Sequence, residues 1–278
     1  MNSEKKKSQI KLIIIFSLLL INIVFKLVNI FNFLLVNIVA FIIISTIFIT
    51  LVICFYVIKK EMIHKYVRII IEYFAVFIYA LFFIQLVFNF VAFPAVVNQT
   101  SMNPTLFEGN RIIVLNGNKD IKRFDIVVFR IDSKKQTSMN DELDNQLWVK
   151  RVIGMPGEHI SYQNGKLYVN GKLINEPHLY DDDGNLFNGY YQDKNGNIKY
   201  YNSFTDDFII EDVLEVTKNL SSDDVRAGVI PDDYYLLLGD NRATSWDSRK
   251  IGLVHKSQII GEGRYIINDI FNWKKIGD

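Results

Sequence analysis

The sequence predicts N-terminal transmembrane helices followed by a mainly antiparallel β domain, which carries an inserted, loop-rich β segment. Residues 1–97 contain nine Lys or Arg and three Asp or Glu, and most positions from Leu12 onward are apolar. Residues 98–278 have a net charge of −5 and consist of short alternating runs rich in Val, Ile, Tyr and Phe. The net charge of the whole chain, +1, therefore results from a positive N-terminal part and a negative C-terminal part that nearly cancel. This division excludes a soluble cytosolic domain, a disordered chain and a nucleic-acid-binding protein with a basic surface.

Residues 1–97 are interpreted as a membrane anchor, because a spanning helix needs about 20 mostly apolar residues. We predict three spans, at 12–31, 33–58 and 69–93. One span over 12–58 is an alternative. Three buried helices of a soluble protein and a cleaved signal peptide are disfavoured, the latter because its apolar region runs only about 7–15 residues.

The short basic loops predict the orientation. Lysines 5, 6, 7 and 11 precede the first span, and a second basic cluster lies in residues 59–68, between the second and third spans. Basic loops stay in the cytoplasm. We therefore expect a multi-pass protein of the cell membrane with a cytoplasmic N-terminus and with residues 98–278 on the extracytoplasmic side.

The β domain is predicted from its alternating runs and its turns. Strands are expected at Arg111–Leu115, Phe124–Ile131, Leu147–Ile153 and Tyr234–Leu238. Asn-Gly pairs at 164–165 and 170–171 indicate tight hairpins, because both residue types tolerate positive φ.

Residues 176–226 are acidic and rich in Gly, Asn and Tyr, and we interpret them as an insertion of solvated loops. A calcium loop at Asp181–Gly184 is disfavoured, because it lacks alternating ligands and a terminal Glu.

Several chemistries are absent from the sequence. Cys54 is the one cysteine and lies in an apolar run, which excludes a disulfide framework or a Cys-rich zinc site. The histidines have no metal-ligand spacing, and no GxSxG, P-loop or HExxH motif occurs. We expect neither a metal nor a cofactor. A Ser-His-Asp triad that uses His159 or His255 stays open as an alternative without local support.

Three polar stretches carry candidate chemistry: Gln99–Leu106, Trp148–Glu158 and Leu238–Arg249. In the second, Lys150 and Arg151 are consecutive in a strand of Val and Ile, so their side chains face opposite sides of the sheet. Taken singly, each stretch is typical of an ordinary polar turn or a surface ion pair.

Together, these stretches resemble the motifs of bacterial type I signal peptidases, membrane-bound Ser-Lys endopeptidases. Ser101-Met102 with Pro104-Thr105-Leu106 is similar to the nucleophile motif, and Arg123–Phe129 to the strand that follows it. Lys150–Gly157 resembles the general-base motif, and the last motif is matched by Gly239, Asp240, Asn241, Arg242, Ser245, Asp247, Ser248 and Arg249. The four matches occur in the family's order.

The resemblance implies a β fold shared with self-cleaving repressor proteases and a Ser-Lys mechanism. Lys150 would take the proton of the Ser101 hydroxyl, while the Ser245 hydroxyl holds the lysine amine. Lysine is a base only when neutral, and its ordinary pKa is about 10.4. Working near neutral pH requires a fall of roughly three units, about 4 kcal/mol, for which burial among Val and Ile is the available cause.

The resemblance assigns supporting roles to the remaining motif residues. Asp247 and Arg249 would pair to fix their loop, and we expect Arg151→Lys to keep substantial activity. The oxyanion donors would be the Ser101 backbone N–H and a side chain two residues earlier. That position is Gln99 in this sequence, where some members of the family carry serine, so the second donor stays open.

The implied substrates are secretory preproteins, cut after small-residue A-x-A-like sites as they emerge from the translocation machinery. The bilayer is the other expected partner, and nucleic acid is not one. A catalytically silent scaffold of the same fold and a receptor with an acidic β domain are the rival interpretations. The intact Ser101, Lys150 and Ser245 disfavour the scaffold.

Overall fold

The computed structural model describes residues 90–276 except 118–119, 138, 140, 194 and 270–271, together with the isolated positions 69, 73, 76 and 83. The predicted spans 12–31 and 33–58 lie outside the described residues. In the part of the chain that is described, we find no helix with the length and apolar character needed to cross a membrane.

The predicted third span, 69–93, is too long at its C-terminal end. Its described positions up to Phe90 are helical and exposed, but strand β1 begins at Ala92. Pro94 gives the physical reason, because it lacks an N–H and pushes the preceding residue toward extended backbone. The chain divides into two compact units, Met1–Phe93 and Pro94–Asp278, slightly before the predicted boundary.

The described residues from Ala92 onward form an eight-stranded sheet in the order β1-β2-β13-β3-β4-β11-β12, with β14 beside β13. Its pairs from β2 onward are antiparallel, as predicted. The strands are β1 Ala92–Val96, β2 Arg111–Asn116, β3 Ile126–Arg130, β4 Leu147–Gly154, β11 Tyr234–Leu238, β12 Val254–His255, β13 Ile259–Asp269 and β14 Asn272–Lys275.

The four predicted strands are confirmed, with small changes at their ends. The largest change is in β3, which begins at Ile126 and not at Phe124. Phe124 has a φ of 73°, a left-handed conformation that a strand residue does not adopt.

A four-stranded sheet in the order β10-β5-β6-β7 packs its apolar face into a core shared with β4 and β11. Its strands are β5 Ile160–Gln163, β6 Lys166–Val169, β7 Lys172–Ile174 and β10 Phe208–Ile209. Both Asn-Gly turns are confirmed: φ is 50° and 72° at 164–165, and 50° and 75° at 170–171. Positive φ at both positions is the requirement of a type I′ hairpin.

The prediction that residues 176–226 are solvated loops is wrong for part of the segment. It forms a short 3₁₀ turn at Pro177–Leu179, the hairpin of β8 Asn188–Gln192 and β9 Ile198–Asn202, and helices α1 Ile210–Val216 and α2 Ser222–Ala227. α1 contributes three buried apolar side chains to the core, and Glu176, Ser203 and Thr205 are buried as well. Acidic composition did not reveal that these positions pack inward.

The core of the second unit predicts where the fold is sensitive to truncation. Leu236 on β11 is fully buried, so Leu236→Ala should lower the unfolding free energy by about 2–5 kcal/mol through lost transfer energy and a residual cavity. Leu173→Ala is the matched control, because that side chain is 50% exposed. Thermal unfolding of the detergent-solubilised full chain measures both, and equal melting temperatures for the two variants would contradict this description of the core.

Candidate active site

Ser101 lies in a tight turn between β1 and β2. The Thr100 carbonyl accepts the Asn103 N–H at 3.1 Å, and the Met102 carbonyl accepts the Leu106 N–H at 2.9 Å. Met102 and Leu106 are fully buried and anchor the turn, whereas Ser101 keeps 9% of its surface exposed. Pro104, inside the turn, is half-buried. The turn therefore fixes the serine while leaving it accessible.

Lys150 on β4 reaches Ser101 directly. Its Nζ donates to Ser101 Oγ at 2.8 Å and to the Val149 carbonyl at 3.1 Å, and the Trp148 ring lies 5.3 Å away. Lys150 is 1% exposed. Burial lowers the pKa of the Lys150 amine to about 8, although the negative charges of Asp247 and Asp240 oppose this shift. The base and the nucleophile predicted from the motifs are thus in hydrogen-bond contact.

Arg151 faces the opposite side of β4, as strand alternation predicts, but it is not free there. Its Nε and Nη2 bind the two carboxylate oxygens of Asp240 at 2.9 and 2.6 Å, and its Nη1 donates to the Phe124 carbonyl at 2.9 Å. Burial alone would raise the pKa of Asp240, but Arg151 holds it at about 2. The expectation that Arg151→Lys keeps substantial activity did not take this buried, bidentate ion pair into account. A lysine amine cannot bind both carboxylate oxygens in the same planar geometry.

The loop of residues 239–247, between β11 and helix α3 (Ser248–Ile251), closes over the Ser101 turn. The Asn241 N–H donates to the Ser101 carbonyl at 3.0 Å, and Asn241 Nδ2 donates to the Thr100 carbonyl at 3.3 Å. A Cβ on Gly239 would lie 2.4 Å from the Ser101 carbonyl oxygen and 2.3 Å from Ser245 Oγ. Glycine is therefore required by close approach at position 239.

Ser245 lies near Ser101 but does not make the predicted contact with Lys150. Within the described residues, its buried Oγ has no partner with hydrogen-bond geometry, so the expected bond to the Lys150 amine is absent. The Lys150 amine is instead bound by Ser101 and by the Val149 carbonyl, which is its neighbour on β4. Ser245 lies close enough to Asp247 to contribute to the lowered pKa of that carboxyl.

Asp247 and Arg249 form the predicted ion pair. Arg249 Nη2 binds Asp247 Oδ2 at 2.8 Å, and the same oxygen accepts the Gly239 N–H at 3.1 Å. Burial alone would raise the pKa of Asp247, but the charge and hydrogen bonds of Arg249 lower it overall. The pair therefore ties both ends of the loop together.

Arg242 is the largest fully buried side chain of the site, at 1% exposure. Its guanidinium binds Glu176, Tyr162 and Thr205, which sequence reasoning did not single out. Glu176 and Thr205 belong to the segment interpreted as solvated loops. A buried arginine requires an anionic partner, but no local pattern marked Glu176 as that partner.

Other predicted candidates lie apart from this constellation. Gln99 is exposed, and no hydrogen bond of its side chain to the Ser101 turn is seen among the described residues. His159 pairs with Glu211 at 3.3 Å, and His255 accepts the Ser257 N–H at 3.1 Å, so neither histidine serves Ser101. The described part of the chain contains no group of three His, Cys, Asp or Glu residues placed to hold a metal ion.

Residues 70–268 match the family described as "Signal peptidase, peptidase S26". Signal peptidase I of Bacillus caldolyticus is 38% identical over 176 residues, which cover 62% of this chain and 78% of that protein. Signal peptidase IB of Staphylococcus aureus (strain Mu50) is 34% identical over 207 residues, 73% of this chain and 88% of that protein. A crystal structure of a signal peptidase I from Enterococcus faecalis V583 is 33% identical, covers 52% of this chain and 97% of that one, and has a TM-score of 0.35.

The family match spans the Ser101 turn, the Lys150 strand and the 239–247 loop, which are the parts that the structure brings into contact. The match also extends over well more than half of the chain. This chain belongs to the signal peptidase family, peptidase S26.

Proposed function

We propose that this protein is a membrane-bound serine endopeptidase, a signal peptidase I, that removes N-terminal signal peptides from exported preproteins. Ser101 is the nucleophile and Lys150 the general base. The observation that carries the assignment is the 2.8 Å hydrogen bond between Lys150 Nζ and Ser101 Oγ, made by a lysine that is 1% exposed. A serine hydroxyl needs an adjacent base, and a buried amine is the base available here.

The reaction proceeds in two steps. Neutral Lys150 takes the Ser101 proton while Oγ attacks the scissile carbonyl carbon, and the resulting ammonium passes that proton to the leaving amine. The mature protein departs, and the signal peptide stays on Ser101 as an ester. Lys150, neutral again, takes a proton from water while the water oxygen attacks the ester carbonyl. The ammonium then returns that proton to Ser101 Oγ as the ester bond breaks, which frees the signal peptide as a carboxylic acid and restores Ser101 and the neutral amine.

The neutral amine is obtained by exclusion of water. A pKa of about 8 in place of the ordinary 10.5 means that the ammonium is destabilised by about 3 kcal/mol relative to a lysine in water, so a larger share of the amine is neutral at a given pH. Asp240 and Asp247 would favour the ammonium, but each is already paired with an arginine. Burial therefore exceeds their attraction.

The Ser101 backbone N–H is proposed as one oxyanion donor. It makes no hydrogen bond with other residues that the structure describes, so it is available to a developing negative charge. The second donor stays open, since Gln99 is exposed. Gly239, Asp240, Asn241, Arg242, Ser245, Asp247 and Arg249 are proposed as supporting residues, with Met102 and Pro104 shaping the turn.

The membrane arrangement is proposed from the sequence. Spans at 12–31, 33–58 and 69 to about 91 would anchor the chain in the cell membrane with its N-terminus in the cytoplasm. The catalytic domain would then lie on the extracytoplasmic side, where preproteins leave the translocation machinery. Cleavage after A-x-A-like sites would follow from small pockets beside Ser101.

Replacing either member of the proposed pair should abolish cleavage. Ser101→Ala, Lys150→Ala and Lys150→Arg should each lower kcat about a thousandfold or more. The two alanine variants lack the nucleophile or the base, and an arginine at position 150 cannot deprotonate at working pH. Cleavage of a synthetic preprotein by the detergent-solubilised protein measures this. The exposed residues Ser222 and Lys172 supply matched controls, Ser222→Ala and Lys172→Arg. Near-normal turnover of Lys150→Arg would rule out Lys150 as the base.

The pH dependence of cleavage should report the Lys150 amine. The base acts when neutral, so kcat/KM should rise tenfold per pH unit below a midpoint near 8 and level off above it. A midpoint near 10.5 would mean that burial does not tune this lysine. A midpoint near 6.5 that persists in Lys150→Arg would point to a histidine base.

Cysteine labelling tests the proposed topology. Single cysteines at Asn2, Lys65 and Asp182 are introduced into a Cys54→Ala background, and intact cells are treated with an impermeant thiol reagent. Labelling should be confined to the Asp182 position, which is exposed. All three positions should react after the membrane is opened, and labelling of residue 65 in intact cells would refute the proposed orientation.

A further inference from the structure

A buried ion pair links the 176–226 segment to the last motif. Arg242 Nη2 donates to Glu176 Oε1 at 2.6 Å, and the two residues are 1% and 4% exposed. A guanidinium in such a place requires a counter-charge, because an unpaired buried cation is strongly disfavoured. Glu176 supplies that charge from outside the four motifs.

Two neutral groups complete the surroundings of the guanidinium. Arg242 Nη1 donates to Tyr162 Oη and to Thr205 Oγ1, both at 2.9 Å, and the Tyr162 hydroxyl also contacts both oxygens of Glu176. Tyr162 lies on β5, and Thr205 follows β9. Arg242 is thus held by three separate parts of the fold.

The same arginine fixes the backbone of the 239–247 loop. Arg242 Nε donates to the Gly239 carbonyl at 3.1 Å, and the Arg242 carbonyl accepts Arg249 Nη2 at 2.6 Å. The Gly239 N–H is held by Asp247. Both backbone polar groups of Gly239 are therefore fixed, at the point where no space remains for a Cβ beside Ser101 and Ser245.

We infer that Glu176 is a positioning residue for the reaction: by neutralising Arg242 it holds Gly239 against the Ser101 turn and keeps water from Lys150. This inference rests on the proposed function of Ser101 and Lys150. Glu176 touches neither residue in the contacts described and acts through Arg242 and the loop.

Neighbouring charges would not replace Glu176. Asp240 is already bound by Arg151. His178 lies between Asp240 and Glu176: its Nε2 is 3.9 Å from Asp240 Oδ1 and 3.8 Å from Glu176 Oε1. Burial lowers the pKa of His178 to about 3, so this ring is neutral at working pH. Without Glu176, Arg242 must turn toward water, and the Gly239 carbonyl loses its donor.

Glu176→Gln tests the inference, since it removes the charge and keeps the shape. We expect kcat at neutral pH to fall at least about threefold, the loss that corresponds to half a pH unit, and KM to change less than twofold. The midpoint of the acidic limb of the kcat/KM profile should move to higher pH by at least half a unit, because water that reaches Lys150 favours the ammonium. Glu215→Gln, the same change at an exposed position of α1, should leave both quantities unchanged.

A second variant covers a loss of folding. Arg242→Lys keeps the positive charge opposite Glu176, so the variant should fold. It loses the guanidinium N–H that reaches the Gly239 carbonyl, so the midpoint of the acidic limb should again move to higher pH. A loss of activity by one factor at every pH, or a wild-type profile in Arg242→Lys, would overturn the inference. Failure of the wild-type protein to cleave the preprotein would instead refute the proposed function.

Discussion

The removal of Lys150 from water is the constraint on which the rest of this site depends. In the proposed mechanism, a serine beside an ammonium would have no base, so the Lys150 amine has to lose its proton while it stays in contact with Ser101. Lys150 is both buried and in contact with Ser101 because it lies on β4, a strand that is paired with β3 on one side and β11 on the other. Its hydrogen bond to Ser101 Oγ is 2.8 Å long, and burial is the dominant influence on its pKa.

The charged residues around Lys150 are arranged in pairs, which limits their effect on it. Arg151 binds Asp240 and Arg249 binds Asp247, which are the two carboxylates whose charge acts on Lys150. Arg242, in the same loop, binds Glu176. An unpaired carboxylate at the position of Asp240 or Asp247 would favour the protonated form of Lys150 more strongly. Pairing also gives each buried charge a counter-charge, which offsets part of the free energy that burial of the loop costs. The same ion pairs therefore order the loop and reduce the field at the lysine.

The 176–226 segment supports this arrangement from outside the motifs. Glu176 neutralises Arg242, Ser203 donates to the Asp240 carbonyl, and the Asn202 N–H donates to the Asn241 side chain. Other parts of the segment, such as Asp182 and Asp183, are exposed. Its residues thus divide into a buried set that contacts the last motif and an exposed acidic set.

The sequence by itself determined four of the strands, the two Asn-Gly hairpins and the opposite directions of Lys150 and Arg151. Through its resemblance to a family, it also predicted the meeting of Ser101 with Lys150. These features follow from local rules: alternation along a strand, positive φ in a turn, and short motifs in a fixed order. Only the tertiary structure decided that Arg151 binds Asp240, that Ser245 does not bind the lysine amine, and that Glu176 meets Arg242. Such contacts join residues far apart in the chain, and they depend on how separate sheets and loops pack, which no periodicity or neighbouring residue specifies.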